Sequence, residues 1–220
     1  MVIVKRTDQA MAPTVGGIVL CGGQSLRMGR SKACLPFAGQ TMLARIVRIV
    51  RAVVHPVVIV AAPKQEVPME GIEGTTILRD EVMGRGPLQG LAAGLKALHG
   101  QADAAYVSSC DVPFLEPAFI RRLIDLLGDH SICVPFAAGF HHPLAAVYRL
   151  DVLAAVEKLL AANRLRPAFL FAEVPTRVVC ESELRDVDPD LKSLWNLNTP
   201  EEYEMALREG SPRHFRGAPS

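Results

Sequence analysis

The sequence predicts an α/β domain: a single three-layer αβα, Rossmann-like unit with a mainly parallel, mixed sheet. Three observations lead there. Between Val15 and Leu127, short apolar runs rich in β-branched residues alternate with longer segments of helical period. A glycine-rich stretch directly follows the first of those runs, in the place where ligands meet such sheets. The chain has 220 residues, 50% apolar and 21% charged, which is enough for one well-buried core and unlike a disordered sequence.

Val15 to Leu20 is an apolar run of strand length and opens the sheet. After the glycine-rich stretch, Leu35-Pro36-Phe37-Ala38-Gly39-Gln40 marks a turn, and Thr41 caps the amphipathic run Met42 to Ala52. Val57 to Ala61 is a β-branched strand. Pro63 to Gly74 is polar and turn-rich, and Thr75 to Leu78 is a short third strand. Gly86-Pro87 opens a helix to Leu98, whose small Ala92, Ala93 and Gly94 permit close packing on the sheet. Ala104 to Ser108 is a fourth strand running into Cys110-Asp111-Val112-Pro113, and a helix follows from Pro117 to Leu127. The order β-α-β-β-α-β-α suits a mainly parallel sheet covered on both faces. Farther on, Ile132 to Pro135, Leu144 to Tyr148 and Thr176 to Cys180 read as strands. Asp151 to Ala161 and Pro167 to Ala172 read as helices, and Pro200 to Arg208 as a terminal helix behind a Thr199 cap. No repeat or linker divides the chain. Residues 14–209 form the domain, 1–13 an N-terminal extension, and 210–220 a tail rich in Ser, Pro, Arg and Gly that is expected to fray.

Composition excludes several functions. A net charge of +1 gives no general pull toward nucleic acid or an anionic membrane, so positive charge has to act locally. No apolar stretch reaches the ~18 residues of a membrane span. Residues 1–13 lack the apolar core of a signal peptide. Cys21, Cys34, Cys110, Cys133 and Cys180 are odd in number and widely spaced, without a C-x-x-C or Cys/His pattern. Neither zinc nor a disulfide framework is expected, and the cytoplasm is the simplest compartment.

The chemistry concentrates in Leu20-Cys21-Gly22-Gly23-Gln24-Ser25-Leu26-Arg27-Met28-Gly29-Arg30-Ser31-Lys32. Glycines let backbone N–H groups line an anion-binding concavity, and Arg27 and Lys32 add charge for phosphate oxygens. An ordinary strand-to-helix turn with solvated basic residues accounts for the composition equally well. The stretch contains neither G-x-x-x-x-G-K-[ST] nor G-x-G-x-x-G, so it is neither a P-loop nor a dinucleotide fingerprint. Asp111, just past the fourth strand, emerges at the same sheet edge and is a natural Mg²⁺ ligand beside phosphates; the alternative is an Asp-x-Pro turn that caps the next helix. Asp80 and Glu81 either face a ligand beside the Gly86-Pro87 helix start or form a solvated acidic turn. His141 and His142 point to opposite faces of a strand, which excludes a joint metal site. Arg164 and Arg166 read alone as a solvated helix end, and Asn198 and Thr199 as caps of the last helix.

The full string L-[AC]-G-G-x-S-x-R-M-G-x-x-K resembles the signature of nucleotidyltransferases, and most closely that of the molybdenum cofactor guanylyltransferase family. C-D-x-P-F at Asp111, G-P-L-x-G at Gly86, H-P-L-x-A-x-Y at His142 and N-x-N-T-P-E-E at Asn196 resemble further segments of that family in the expected order. One position departs from the pattern: Ser31 stands where the family commonly has Asp. The resemblance implies a fold of the nucleotide-diphospho-sugar transferase type and transfer of GMP from GTP to the terminal phosphate of molybdopterin, with release of pyrophosphate. Leu20, Cys21, Gly22, Gly23, Lys32, Asp80, Gly86, Pro87 and Asp111 would then bind the nucleotide, with Asp80 pairing to the N1–H and N2–H₂ edge of guanine. Mg²⁺ on Asp111 would orient the α-phosphate while Arg27 and Lys32 neutralise the β and γ oxygens. His142, Arg164, Arg166 and Asn198 would lie on the acceptor side. Implied partners are GTP, molybdopterin, molybdopterin-loading proteins and recipient molybdoenzymes. A cytidylyltransferase for the same cofactor or another small-metabolite nucleotidyltransferase would use the same scaffold. A non-catalytic nucleotide-binding protein is the reading from a different class.

Overall fold

Along the strands of this computed structural model, which describes residues 13–22, 31–80 and 85–210, side chains alternate between two apolar layers. In β1 (Val15–Leu20), Val19 faces one layer, and Ile18 and Leu20 the other. β2 (Pro36–Phe37) and β3 (Gln40–Thr41) form a small separate hairpin where the sequence suggested only a turn. Its two turn residues, Ala38 (φ 48°) and Gly39 (φ 80°), take the left-handed conformation that a tight two-residue hairpin requires. α1 (Met42–Arg51) starts where predicted, with the Thr41 hydroxyl accepting from Ala44 N at 3.2 Å. β4 (Val57–Ala61) is buried throughout and splits like β1, Ile59 to one side and Val58 and Val60 to the other.

β5 (Thr76–Arg79), α2 (Gly86–Leu98), β6 (Ala104–Ser109) and α3 (Pro117–Leu126) complete the regular half within a residue or two of expectation. α1 and α3 cover the face carrying Val19, Ile59 and Tyr106, whereas α2 covers the face carrying Ile18, Val58 and Val107. Gly94 explains how closely α2 approaches: a Cβ there would lie 2.6 Å from Ile18 Cγ2. The small residues of α2 thus do what the sequence suggested.

The second half is where connectivity departs from simple alternation. β7 (Ile132–Ala137) and β8 (Phe140–His141) make a hairpin turning through Ala138 (φ 52°) and Gly139 (φ 86°). β9 (Ala145–Arg149) then runs back between β7 and β6, antiparallel to both. The predicted helix from Asp151 begins as a 3-10 turn, Leu150–Val152, before α4 (Leu153–Ala161), and Pro167–Ala172 is 3-10 throughout, as suits a short segment opened by proline. β10 (Thr176–Cys180) pairs parallel with β7, and α5 (Pro200–Gly210) ends the described chain. Among the described residues the strand order is β10-β7-β9-β6-β1-β4-β5, with β9 the one reversed strand of that path. The result is the predicted three-layer αβα arrangement on a mainly parallel, mixed sheet. The predicted extension and tail lie outside the described residues save for residues 13 and 210. Among the described residues no helix is long and apolar enough to cross a membrane.

Candidate active site

Parallel pairing of β1 with β6 brings their carboxyl ends together, and Cys110 N donates to Leu20 O at 3.1 Å. Asp111 therefore leaves the sheet beside Cys21 and Gly22, as its position after the strand suggested. Lys32, the first residue of the 3-10 turn Lys32–Cys34, reaches in with Nζ 2.7 Å from Asp111 Oδ2 and 3.3 Å from Asn198 Oδ1. The pair is largely shielded, with side chains 19% and 14% exposed. The other carboxylate oxygen accepts from Asn196 Nδ2 at 2.9 Å, and the same amide reaches Ser109 Oγ at 3.0 Å. Asp111 does not cap a helix: the residue before α3 is Glu116, and the Asp111 carbonyl accepts from Leu197 N at 2.9 Å.

That last bond fastens the 195–198 segment across the sheet edge, where residues two apart present their amides to the same cluster. The segment is fixed from both ends. Trp195 stacks on Phe114 with ring centroids 5.3 Å apart, in a small apolar cluster with Phe37, Met42, Leu197 and Ala206. On the other side Glu202 N donates to Thr199 Oγ1 at 3.2 Å, while Glu202 Oε2 accepts from Asn198 N at 2.5 Å and Thr199 N at 3.1 Å. This is a reciprocal cap, so Thr199 takes the capping role and leaves the Asn198 side chain to Lys32.

On the glycine-rich side, Gly22 is exposed, and a Cβ there would lie 3.2 Å from Ala62 N, so glycine lets the chain pass over the end of β4 without crowding its backbone. Leu20 and Cys21 are buried, and Cys21 N donates to Val60 O at 3.0 Å, which engages these two positions in the sheet. Gly23 and Arg27 lie outside the described residues. Burial pushes the Cys21 thiol up to about 12 and the Cys110 thiol well above its ordinary value. Both stay protonated near neutrality, which removes them as nucleophiles.

Asp80 ends the β5 edge with its N–H bonded to Ala61 O at 2.8 Å, two strands over from the β1 that leads into Gly22, and Gly86 and Pro87 are exposed at the start of α2. The expected nucleotide-side residues that the structure describes thus share one rim. Arg164 and Arg166 are exposed on a segment that touches this rim, since Arg85 donates to Leu160 O and a Cβ on Gly86 would lie 3.8 Å from Leu165 O. Arg164 is already engaged, 3.2 Å from Glu173 and over the Phe169 ring at 4.3 Å. The same segment reaches the hairpin, where Phe171 meets His141 at 5.1 Å. His142 is half-buried beside Phe140, its Nε2 3.3 Å from Ala137 O, and burial lowers its pKa so that the ring is neutral at pH 7. It stands on the same rim through Ala145 N to His142 O (3.0 Å) and Ser109 N to Leu144 O (3.3 Å).

Asn196 and Ser109 were missed as site residues. The N-x-N spacing was a signal for Asn196, because in an extended segment residues two apart lie on one side. Ser109 had none, being the last residue of a strand of small and apolar residues.

A model of the MobA-like NTP transferase domain matches residues 17–176. The chain belongs to the MobA-like NTP transferase family. It is a nucleotidyltransferase of that family by sequence, and 36% identical over 195 residues to a molybdenum cofactor guanylyltransferase of Desulfosudis oleivorans, covering 87% of this chain and 94% of that one. Its fold is similar to that of molybdopterin-guanine dinucleotide biosynthesis protein A from Archaeoglobus fulgidus, with TM-score 0.73, 21% identity and coverage of 88% and 97%. It is also similar to that of 2-C-methyl-D-erythritol 4-phosphate cytidylyltransferase from Thermus thermophilus, with TM-score 0.64, 17% identity and coverage of 90% and 98%.

Proposed function

We propose that this MobA-like transferase moves GMP from GTP to the terminal phosphate of molybdopterin, releasing pyrophosphate and forming molybdopterin guanine dinucleotide. The observation that carries the reading is the convergence of Lys32, Asp111, Asn196 and Asn198 at the sheet edge that also carries Gly22. In this reaction a phosphate oxygen forms a bond to the α-phosphorus, and the bridging α–β P–O bond breaks. The attacking phosphate is already ionised, so the site needs positioning and charge neutralisation and no strong base. A lysine ammonium has three donors; among the described residues Asp111 and Asn198 take two, and the third would serve a phosphate oxygen. Arg27 adds positive charge from the same sequence stretch.

A divalent metal fits the donor set. Asp111 and Asn198 offer hard oxygens that already share one cation, the Lys32 ammonium, and Mg²⁺ takes few carboxylates alongside phosphates and waters. Among the described residues no group of three or more His, Cys, Asp or Glu gathers, so the ion would depend on the nucleotide for its remaining ligands. Asp111 and Asn198 would hold it, and it would supply charge to the triphosphate. Asn196 keeps the Asp111 carboxylate oriented, while the buried flank of the pair limits water.

Guanine is the base we favour. Asp80 at the end of β5 and the exposed Gly86-Pro87 turn offer an acceptor and a flat backbone surface at one corner of the rim. His142, Arg164 and Arg166 are assigned to the acceptor side, and the enzyme to the cytoplasm. The test is pyrophosphate release with Mg²⁺ and molybdopterin, comparing GTP, CTP and ATP, with Asp111→Ala as control. Turnover with GTP, abolished in the variant, is expected. Preference for CTP would move the enzyme to cytidylyl transfer, and no turnover with any nucleotide would overturn the reading.

A further inference from the structure

The turn after β4 holds a side chain whose every hydrogen-bonding group is used at the mouth of the glycine-rich stretch. Gln65 Oε1 accepts from Ala62 N at 3.2 Å. Its Nε2 donates to Cys21 O at 2.6 Å and to Ser31 Oγ at 2.9 Å. The partners fix the amide orientation, since an N–H must meet the oxygen and a carbonyl must meet the nitrogen. Cys21 and Ser31 lie on either side of the 22–30 stretch, so one amide joins both of its ends to the edge of β4.

The turn carrying Gln65 is itself braced. Gln65 N donates to Ala62 O at 3.2 Å. The Arg79 guanidinium, from the end of β5, reaches Gln65 O at 2.8 Å, Ala62 O at 3.3 Å and Pro63 O at 3.4 Å. Those bonds do not involve the glycine-rich stretch. Gln65 is therefore a post fixed from behind, with its head group tied to the stretch in front. Ser31, which departs from the family's usual Asp, has a defined role here as the acceptor on the returning arm, next to Lys32.

We propose that Gln65, acting through Ser31 and the Cys21 carbonyl, is a positioning residue that fixes the neighbouring Lys32 and Gly22 at the sheet edge and thereby sets the affinity for the NTP triphosphate. The inference rests on the proposed nucleotide transfer. Its specific content is that the effect falls on nucleotide binding and requires the Gln65–Ser31 bond.

The experiment uses the full chain and measures GTP affinity by calorimetry and steady-state pyrophosphate release with molybdopterin. Gln65→Leu removes both donors at similar volume and is expected to raise Kd and KM for GTP by about 5- to 20-fold, the scale of one or two lost hydrogen bonds. kcat and the KM for molybdopterin should stay within about twofold. Gln65→Glu, which sets an acceptor against the Cys21 carbonyl, should bind GTP more weakly than Gln65→Leu. Ser31→Ala should weaken GTP by a smaller factor, and Ser31→Asp, which keeps an acceptor for Nε2, should restore it. Because Gln65→Leu already breaks the Ser31 bond, adding Ser31→Ala to it should change little.

Unchanged GTP affinity in a folded Gln65→Leu variant overturns the inference, as does a loss confined to kcat. If Gln65→Leu does not fold, the Ser31→Ala and Ser31→Asp pair decides: equal GTP affinity in both overturns the inference, and loss with Ala but not with Asp supports it. Failure of the wild-type chain to bind or turn over GTP refutes the proposed function instead, and is seen before any variant is made.

Discussion

Asn196→Ala tests whether the orientation of Asp111 matters to turnover. The Asn196 amide donates to Asp111 Oδ1 at 2.9 Å and Ser109 Oγ at 3.0 Å, while the backbone bond from Leu197 N to Asp111 O at 2.9 Å is untouched by the substitution. The segment thus stays attached, and the loss falls on the carboxylate. A hydrogen bond to a charged group is worth about 1.5–3 kcal/mol. At 1.4 kcal/mol per factor of ten, a loss felt fully in the transition state lowers kcat/KM by about 10- to 150-fold. The assay is pyrophosphate release at saturating molybdopterin with GTP varied, alongside a melting curve that shows the variant folded. Asn196→Asp is the companion. It keeps the shape but sets a second carboxylate against Asp111, and like charges at that distance resist joint ionisation, so it should be slower than Asn196→Ala at neutral pH. A folded Asn196→Ala with kcat/KM within twofold of wild type would refute the role assigned to this amide.

Three further outcomes follow from the packing. Thr199→Ala removes the α5 cap and is expected to cost about 1 kcal/mol, or roughly 2–4 °C in Tm by calorimetry, with less loss of turnover than Asn196→Ala. Gly94→Ala places a methyl 2.6 Å from Ile18 Cγ2 and should lower stability by about 1–3 kcal/mol; in urea titrations its combination with Ile18→Ala should lose less than the sum of the two. Burial raises the Cys21 and Cys133 thiols from an ordinary 9.0 to about 12. The unfolded chain therefore releases those protons first, and the stability they contribute is present below pH 9 and lost as pH rises toward 12. Urea midpoints should fall across that window, and a Cys21→Ala/Cys133→Ala variant should show a shallower fall.

Legibility in the sequence followed the range of the interactions. Val15–Leu20, Val57–Ala61 and Ala104–Ser109 were readable because central parallel strands are apolar on both faces, and the caps at Thr41 and Thr199 are local side-chain chemistry. The reversed entry of β9 between β6 and β7 was not, because pairing order is settled by residues far apart in the chain, such as Ser108 opposite Ala145. The hairpin at Phe37–Gln40 hid behind an Ala-Gly turn that lacks the usual Asn or Asp. Within the site, Lys32 and Asp111 could be read from motif and strand end. Gln65 could not: it sits in a polar turn where one glutamine looks like any other, and its meaning comes from three partners spread from residue 21 to residue 62.

The reversed β9 also divides the chain's labour along its length. Strands β1, β4 and β5, whose ends carry Gly22, Ala62 and Asp80, are all complete before residue 81, whereas the hairpin bearing Phe140 and His142 begins after residue 131. Within the sheet the two stretches are joined through β6, whose neighbours are β1 on one side and β9 on the other. Lengthening the Ala138-Gly139 turn therefore reshapes one corner of the rim while the register between β6, β1, β4 and β5 stands. With His142 on the acceptor side, as proposed, a scaffold wired in this way would exchange what it accepts while keeping what it donates.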